Sequence, residues 1–175
     1  MKTLLFITVS FCFFWACTQT ETTPSKKVSH PSHKYHYVAL DTSNLTYQQT
    51  DYLPVYSDIY HSDGTKRFLL TSTVSIRNTS LTDTVYLISA NYNNSFGTLL
   101  KPYIDSSIML LPLESVEFVV EESETVGGAG AHFIIRWGAQ RDNNQVIIQG
   151  VMISTNFQQG ISFVTESKTI DWRCK

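Results

Sequence analysis

The sequence has no basic cluster. Its 175 residues carry 13 Lys and Arg against 15 Asp and Glu, a formal charge of -2. Nucleic acids and acidic membranes are bound through basic patches, so neither is an expected partner. Cysteine is scarce. Cys12, Cys17 and Cys174 are the whole complement, too few and too scattered for a disulfide framework. No apolar run is long enough to span a bilayer. Leu4–Ala16 has 13 residues. As a helix it would cover about 20 Å, against a hydrocarbon core of about 30 Å. No amphipathic helical window appears elsewhere. There is no Gly-x-Ser-x-Gly elbow, and Cys174 has no neighbouring base. A nucleophile needs a positioned base and an oxyanion site, so the chain is not expected to be an enzyme.

What is present starts at the N-terminus. Lys2, the short apolar core and small Ala16 read as a signal peptide over residues 1–16. Cys17 follows at once, with polar residues after it. A core thiol does not fit those surroundings, and a bridge to Cys174 has no local support. The segment resembles a bacterial lipoprotein signal, in which the cysteine takes a diacylglyceryl thioether and becomes the new N-terminus. Ala16 suits that pattern, while Phe14 and Trp15 are bulkier than is usual. Two or three acyl chains hold a protein firmly on a bilayer. The expected partner is therefore the lipid bilayer, through acylated Cys17. Cleavage leaves 12 basic and 15 acidic residues. No Asp follows Cys17 as an inner-membrane retention signal, so an outer-membrane location is preferred over the inner membrane.

Residues 17–36 are rich in Thr, Ser, Lys and Pro and read as a flexible tether. The 17 residues from Thr18 to Lys34 have a root-mean-square reach of roughly 20–25 Å. His30, His33 and His36 recur at spacing three. Pro31 argues against the helix that would align them, so they read as solvated tether residues.

From Tyr37 to Lys175 the pattern is β, in one domain. Short runs such as "RFLLTSTVSIRN", "TVYLISANY", "SVEFVV", "HFIIRW", "QVIIQGVMIST" and "ISFVTE" are rich in Val, Ile, Phe, Tyr and Thr. Punctuators separate them: Ser62-Asp63-Gly64, Asn93-Asn94, Gly127-Gly128, Asp142-Asn143-Asn144 and Gln159-Gly160. Such spacing predicts an all-β sandwich or barrel. In "YLPVYSDIYH", period two puts Tyr52, Pro54, Tyr56, Asp58 and Tyr60 on one face. Leu53, Val55 and Ile59 take the other. Pro54 is tolerated on an edge strand. The expectation is an edge or bulged strand with its aliphatic face inward and its tyrosine face outward.

Four segments, "YLPVYSDIYH", "SIRNTS", "LLPLESVEFVVEESETVGGAGAHFIIRWGA" and "FQQGISF", carry a resemblance. Together they are similar to a bacterial envelope family called domain of unknown function three-one-two-four, over Tyr52–Phe163. The resemblance implies an immunoglobulin-like β-sandwich and a lipoprotein. It implies no activity, cofactor or catalytic residue.

The loop "EESETVGGAGAHF" is the first site candidate. Glu121, Glu122 and Glu124 precede three glycines, and His132 follows. Glycine lets backbone approach a ligand closely. It is not a phosphate loop, since it lacks the lysine and the following helix. Three Glu and one His could hold a divalent cation, but the spacing matches no defined site. The loop reads first as a solvated connection, and no metal or cofactor is assigned. Tyr52, Tyr56, Asp58 and Tyr60 form the second candidate, because tyrosine is enriched at contact surfaces. The favoured function is a binding module meeting an envelope protein or polymer. The alternatives are a structural part of an envelope assembly and a metal-binding domain using the Glu/His loop.

Overall fold

The computed structural model describes residues 35–142, 145–156 and 159–175. The expected leader, Cys17, His30, His33, most of the expected tether and the Asn143-Asn144 turn lie outside the described residues. Residues 34–175 form one compact unit. Its strands are β1 (His36–Val38), β2 (Tyr47–Pro54), β3 (Asp58–His61), β4 (Lys66–Leu69), β5 (Thr71–Asn78), β6 (Val85–Asn93) and β7 (Leu99–Pro102). They continue with β8 (Ser107–Leu110), β9 (Ser115–Val120), β10 (His132–Ala139), β11 (Val146–Asn156), β12 (Gln159–Glu166) and β13 (Lys168–Cys174). Among the described residues no helix is long and apolar enough to cross a membrane.

The strands form an all-β sandwich. One sheet runs β1-β8-β6-β10-β2-β13, with β7 also paired to β6. The facing sheet runs β12-β11-β5-β9, and β3-β4 is a separate hairpin. Alternation decides which side chains meet between the sheets. Val116, Phe118 and Val120 of β9 are buried, as are Val74 and Ile76 of β5. Phe133, Ile135 and Trp137 of β10 face them from the larger sheet. In β6 the phase changes. Val85 and Leu87 are buried, then Ala90 and Tyr92. An irregularity against Arg136 and Trp137 adds a residue there, and an extra residue moves the rest of a strand to the other face.

Four sequence expectations are corrected. The stretch Tyr52–Tyr60 is not one edge strand. β2 lies inside its sheet, between β10 and β13, and ends at Pro54, which has no N–H to continue the ladder. Leu53 and Val55 do point inward, but Asp58 is buried rather than on an outward face. Second, the run from Phe68 to Ile76 is divided at buried Leu70. Its N–H donates to Ser57 O at 2.9 Å, which closes the base of the β3–β4 hairpin. Third, the domain includes residues before Tyr37. Tyr35 packs against the core and its hydroxyl donates to Glu117 O at 3.0 Å. His36 pairs in β1. Fourth, Gln159 and Gly160 belong to β12 rather than to a turn.

β13 carries no burial alternation, since all seven of its residues are exposed. A buried carboxylate fastens it. Asp51 on β2 accepts from Trp137 Nε1 at 2.7 Å, from Thr169 Oγ1 at 3.0 Å and from Gln49 Nε2 at 2.9 Å. A buried charge without such donors would be strongly unfavourable, so Thr169 and β13 are held where the carboxylate needs them.

Two turns meet at one end of the sandwich. Asn78 Nδ2 donates to Asp83 O, Leu110 O and Leu111 O, and Leu113 N donates to Ser80 O at 3.2 Å. The β8–β9 turn is Leu111-Pro112-Leu113-Glu114, closed by Glu114 N to Leu111 O at 3.0 Å. Leu113 stands at φ 62, in the left-handed region that a glycine would occupy without strain.

Tyr92, Tyr103, Phe118 and Phe133 form an aromatic cluster in the core. Burial pushes the Tyr103 phenol up to about 12, with smaller contributions from Tyr92, Glu124 and Glu121. Burial also raises Tyr92 and Tyr35. These folded-state values lie above the unfolded value of 10.0. The unfolded chain therefore loses these protons first, and stability falls as pH rises. Urea unfolding should show full stability below pH 10 and progressive loss toward 12. Tyr103→Phe should make that decline shallower.

Candidate functional site

Three loops share the end of the sandwich opposite the β8–β9 turn. They are the segment from Val55 through the β3–β4 hairpin, the β6–β7 turn at residues 94–98, and the β9–β10 loop at residues 121–131. The glycine-rich stretch joins the other two. Ser57 Oγ accepts from Gly128 N at 2.7 Å, and Val55 N donates to Ala131 O at 2.9 Å. On the other side Ser95 Oγ donates to Gly127 O at 3.0 Å and accepts from Gly130 N at 2.9 Å.

The glycines have a steric reason. A Cβ on Gly127 would lie 1.9 Å from Tyr92 Oη, and one on Gly128 would lie 2.7 Å from Ser95 Oγ. Gly128 also stands at φ 80. The loop runs directly over the core, where side chains would collide. Tyr92 Oη is buried with no hydrogen-bond partner among the described residues, and so is Asp58 Oδ1.

Asp58 anchors the hairpin. It is 1% exposed, and its Oδ2 accepts from Arg67 Nη1 at 3.0 Å. Arg67 Nη2 donates to Tyr60 Oη at 2.8 Å, and the guanidinium lies 4.7 Å from the Tyr60 ring centre. A buried carboxylate thus fixes an arginine, and the arginine fixes an exposed tyrosine.

The expected tyrosine face is dispersed. Tyr52 stacks on His132 at 4.5 Å. Tyr56 meets Phe163 edge-on at 5.6 Å. Tyr60 alone of the three is exposed. Glu121 and Glu122 are exposed on their loop, while His132 is turned to Tyr52. Among the described residues no three His, Cys, Asp or Glu side chains converge as cation ligands. Phe96 was not legible as a site residue. It is 92% exposed, at the tip of a turn in which Asn94 Oδ1 accepts from Phe96 N and Thr98 N, both at 2.9 Å. Exposed Val126 adjoins Gly127, which is bonded to Ser95. The available signal was Asn-Ser-Phe-Gly, a tight turn with an aromatic where only polar residues are needed.

A family model described as "Protein of unknown function (DUF3124)" matches residues 48–170. The chain belongs to this family. The match spans β2 to β13, including all three loops. No curated protein matches the chain. Among solved structures, the crystal structure of Thermotoga maritima 1070 is similar at 15% identity and a TM-score of 0.36. The overlap covers 69% of this chain and 92% of that one, and it is too loose to transfer anything.

Gly127→Ala should destabilise the domain by about 1–3 kcal/mol, the usual range for overpacking. Tyr92→Phe removes the colliding hydroxyl and an unpartnered buried group. The double variant should recover part of the loss in chemical denaturation. An unchanged midpoint for Gly127→Ala would refute the steric role of the loop.

Proposed function

We propose that the protein is a lipid-anchored module of the bacterial cell envelope that binds an envelope protein or polymer through its three-loop end. The observation that carries this reading is Phe96. An aromatic ring 92% exposed gains nothing from folding, and the Asn94 turn closes without it. Its backbone is held by hydrogen bonds at both ends of the turn. An exposed aromatic on a hydrogen-bonded turn is suited to anchor a contact between macromolecules. Val126 and the Arg67-supported Tyr60 add apolar area at the same end. The clasp through Ser57 and Ser95 keeps the loops from moving independently, which lowers the ordering cost of binding.

The anchoring half of the proposal rests on residues 1–17. A short apolar core ending in Ala16 before Cys17 supports diacylglyceryl attachment at that sulfur. The absence of Asp after Cys17 supports an outer-membrane address.

Affinity capture from detergent-solubilised membranes tests both halves. The N-terminal peptide of the captured chain should begin at Cys17 and carry acyl mass. Wild type should retain one partner that the Phe96→Ser, Tyr60→Ser double variant loses. Phe96 is almost wholly exposed and Asp58 still holds Arg67 once Tyr60 is removed, so the melting temperature of that variant should fall only slightly. Equal capture by both proteins would exclude this end as the binding surface.

A further inference from the structure

The other end of the sandwich has its own exposed apolar cluster, and it is the end where the chain enters. In β1, His36 lies opposite Met109 of β8. Its Nε2 is 3.5 Å from Glu114 Oε1, and Glu114 Oε2 accepts from Leu111 N at 2.7 Å. The entry point therefore touches the Leu111-Pro112-Leu113 turn. Leu81 on the adjoining β5–β6 turn is 78% exposed, Leu113 63% and Leu111 41%. Three leucines on two mutually bonded turns thus point into solvent.

Leu113 is the informative one. Its left-handed backbone favours glycine, and a leucine there is strained. Its side chain is mostly exposed, so packing does not compensate. Strained residues that folding does not require mark positions under another demand. Nearby carboxylates are already engaged. Glu114 is held by His36 and Leu111 N, and Asp83 is 3.2 Å from Arg141.

We propose that this leucine-bearing end docks on the bilayer surface, with Leu81, Leu111 and Leu113 entering the boundary between headgroups and acyl chains of zwitterionic lipid. This rests on the reading of Cys17 as the lipid attachment site. The occupant follows from where the chain goes. Only 17 residues, Thr18 to Lys34, separate Cys17 from the domain. Connectivity alone attaches residues 18–34 at this end of the domain, beside His36 and the Leu111-Pro112-Leu113 turn. Attachment at Cys17 makes contact with the bilayer intramolecular, so a surface too weak to bind membrane alone gains from its high effective concentration. The near-neutral charge favours zwitterionic over acidic lipid. The two ends are distinct by register, since Val85 of β6 pairs with Leu110 while Asn93 pairs with His132. Docking by the leucines leaves Phe96 facing away from the membrane.

The test uses the full chain, produced with its leader and reconstituted into phosphatidylcholine vesicles. Cys174→Ser removes the native exposed thiol, and an environment-sensitive dye is attached after Thr82→Cys or Phe96→Cys. Both chains should float with the vesicles. The dye at position 82 should shift to the blue and be quenched by spin-labelled lipid, and the dye at 96 should do neither. Leu113→Gly with Leu81→Ser should float equally, unfold at no lower temperature, and lose the quenching at 82. A floating chain whose dye at 82 keeps its aqueous emission refutes the docking and leaves the anchor standing. A dye at 82 that shifts only when membrane protein is added refutes it in favour of a protein partner. A chain that does not float refutes the anchor and the docking together.

Discussion

The close passage of the Gly127 backbone over Tyr92, and of Gly128 and Gly130 past Ser95, is the constraint on which the three-loop end depends. Tyr92 is a core residue, meeting Tyr103 edge-on and Phe133 at a tilt in the aromatic cluster. A loop that touches its hydroxyl is therefore referenced to the sandwich interior rather than to other loops. Ser57 and Ser95 then use the exposed glycine amides and carbonyls as fixed points. Without side chains on those glycines, the loop can sit close enough for both serines to reach. With a Cβ there, the hairpin segment and the 94–98 turn would lose their common reference.

A second constraint acts at the sheet edge. Asp51 is buried between β10 and β13 and collects donors from Trp137, Gln49 and Thr169. A carboxylate in that position requires its partners, so it holds the C-terminal strand on β2 despite the exposure of every β13 side chain. Strand β2 thereby becomes an interior strand. That in turn directs Tyr52 against His132 and ends the strand at Pro54, which releases the chain into the β3–β4 hairpin.

The two ends of the domain differ in construction. At one, buried Asp58, Arg67 and Tyr60 form a chain of support for exposed aromatic surface. At the other, Asn78 ties two turns so that three leucines are presented beside the point of chain entry. Both ends expose apolar side chains on hydrogen-bonded turns rather than on mobile loops. The core between them is ordinary alternating-strand packing, which allows each end to be altered without disturbing the other.

Strand content, the aliphatic faces of β5, β9 and β10 and the Ser62–Gly64 turn were carried by local pattern, because period-two burial and turn chemistry are properties of neighbouring residues. The inward placement of Leu53 and Val55 was legible for the same reason. The fate of Tyr52, Tyr56 and Asp58 was not. Whether β2 is an edge depends on β13, more than a hundred residues later in the chain, and nothing local to "YLPVYSDIYH" reports it. Phe96 left only the local signal of its Asn-Ser-Phe-Gly turn and Leu113 left none, since exposure and backbone hand are settled by the folded surroundings. Sequence alone determined that the chain would form paired strands. The tertiary structure decided which side chains each end displays, because those choices depend on pairings between segments far apart in the chain.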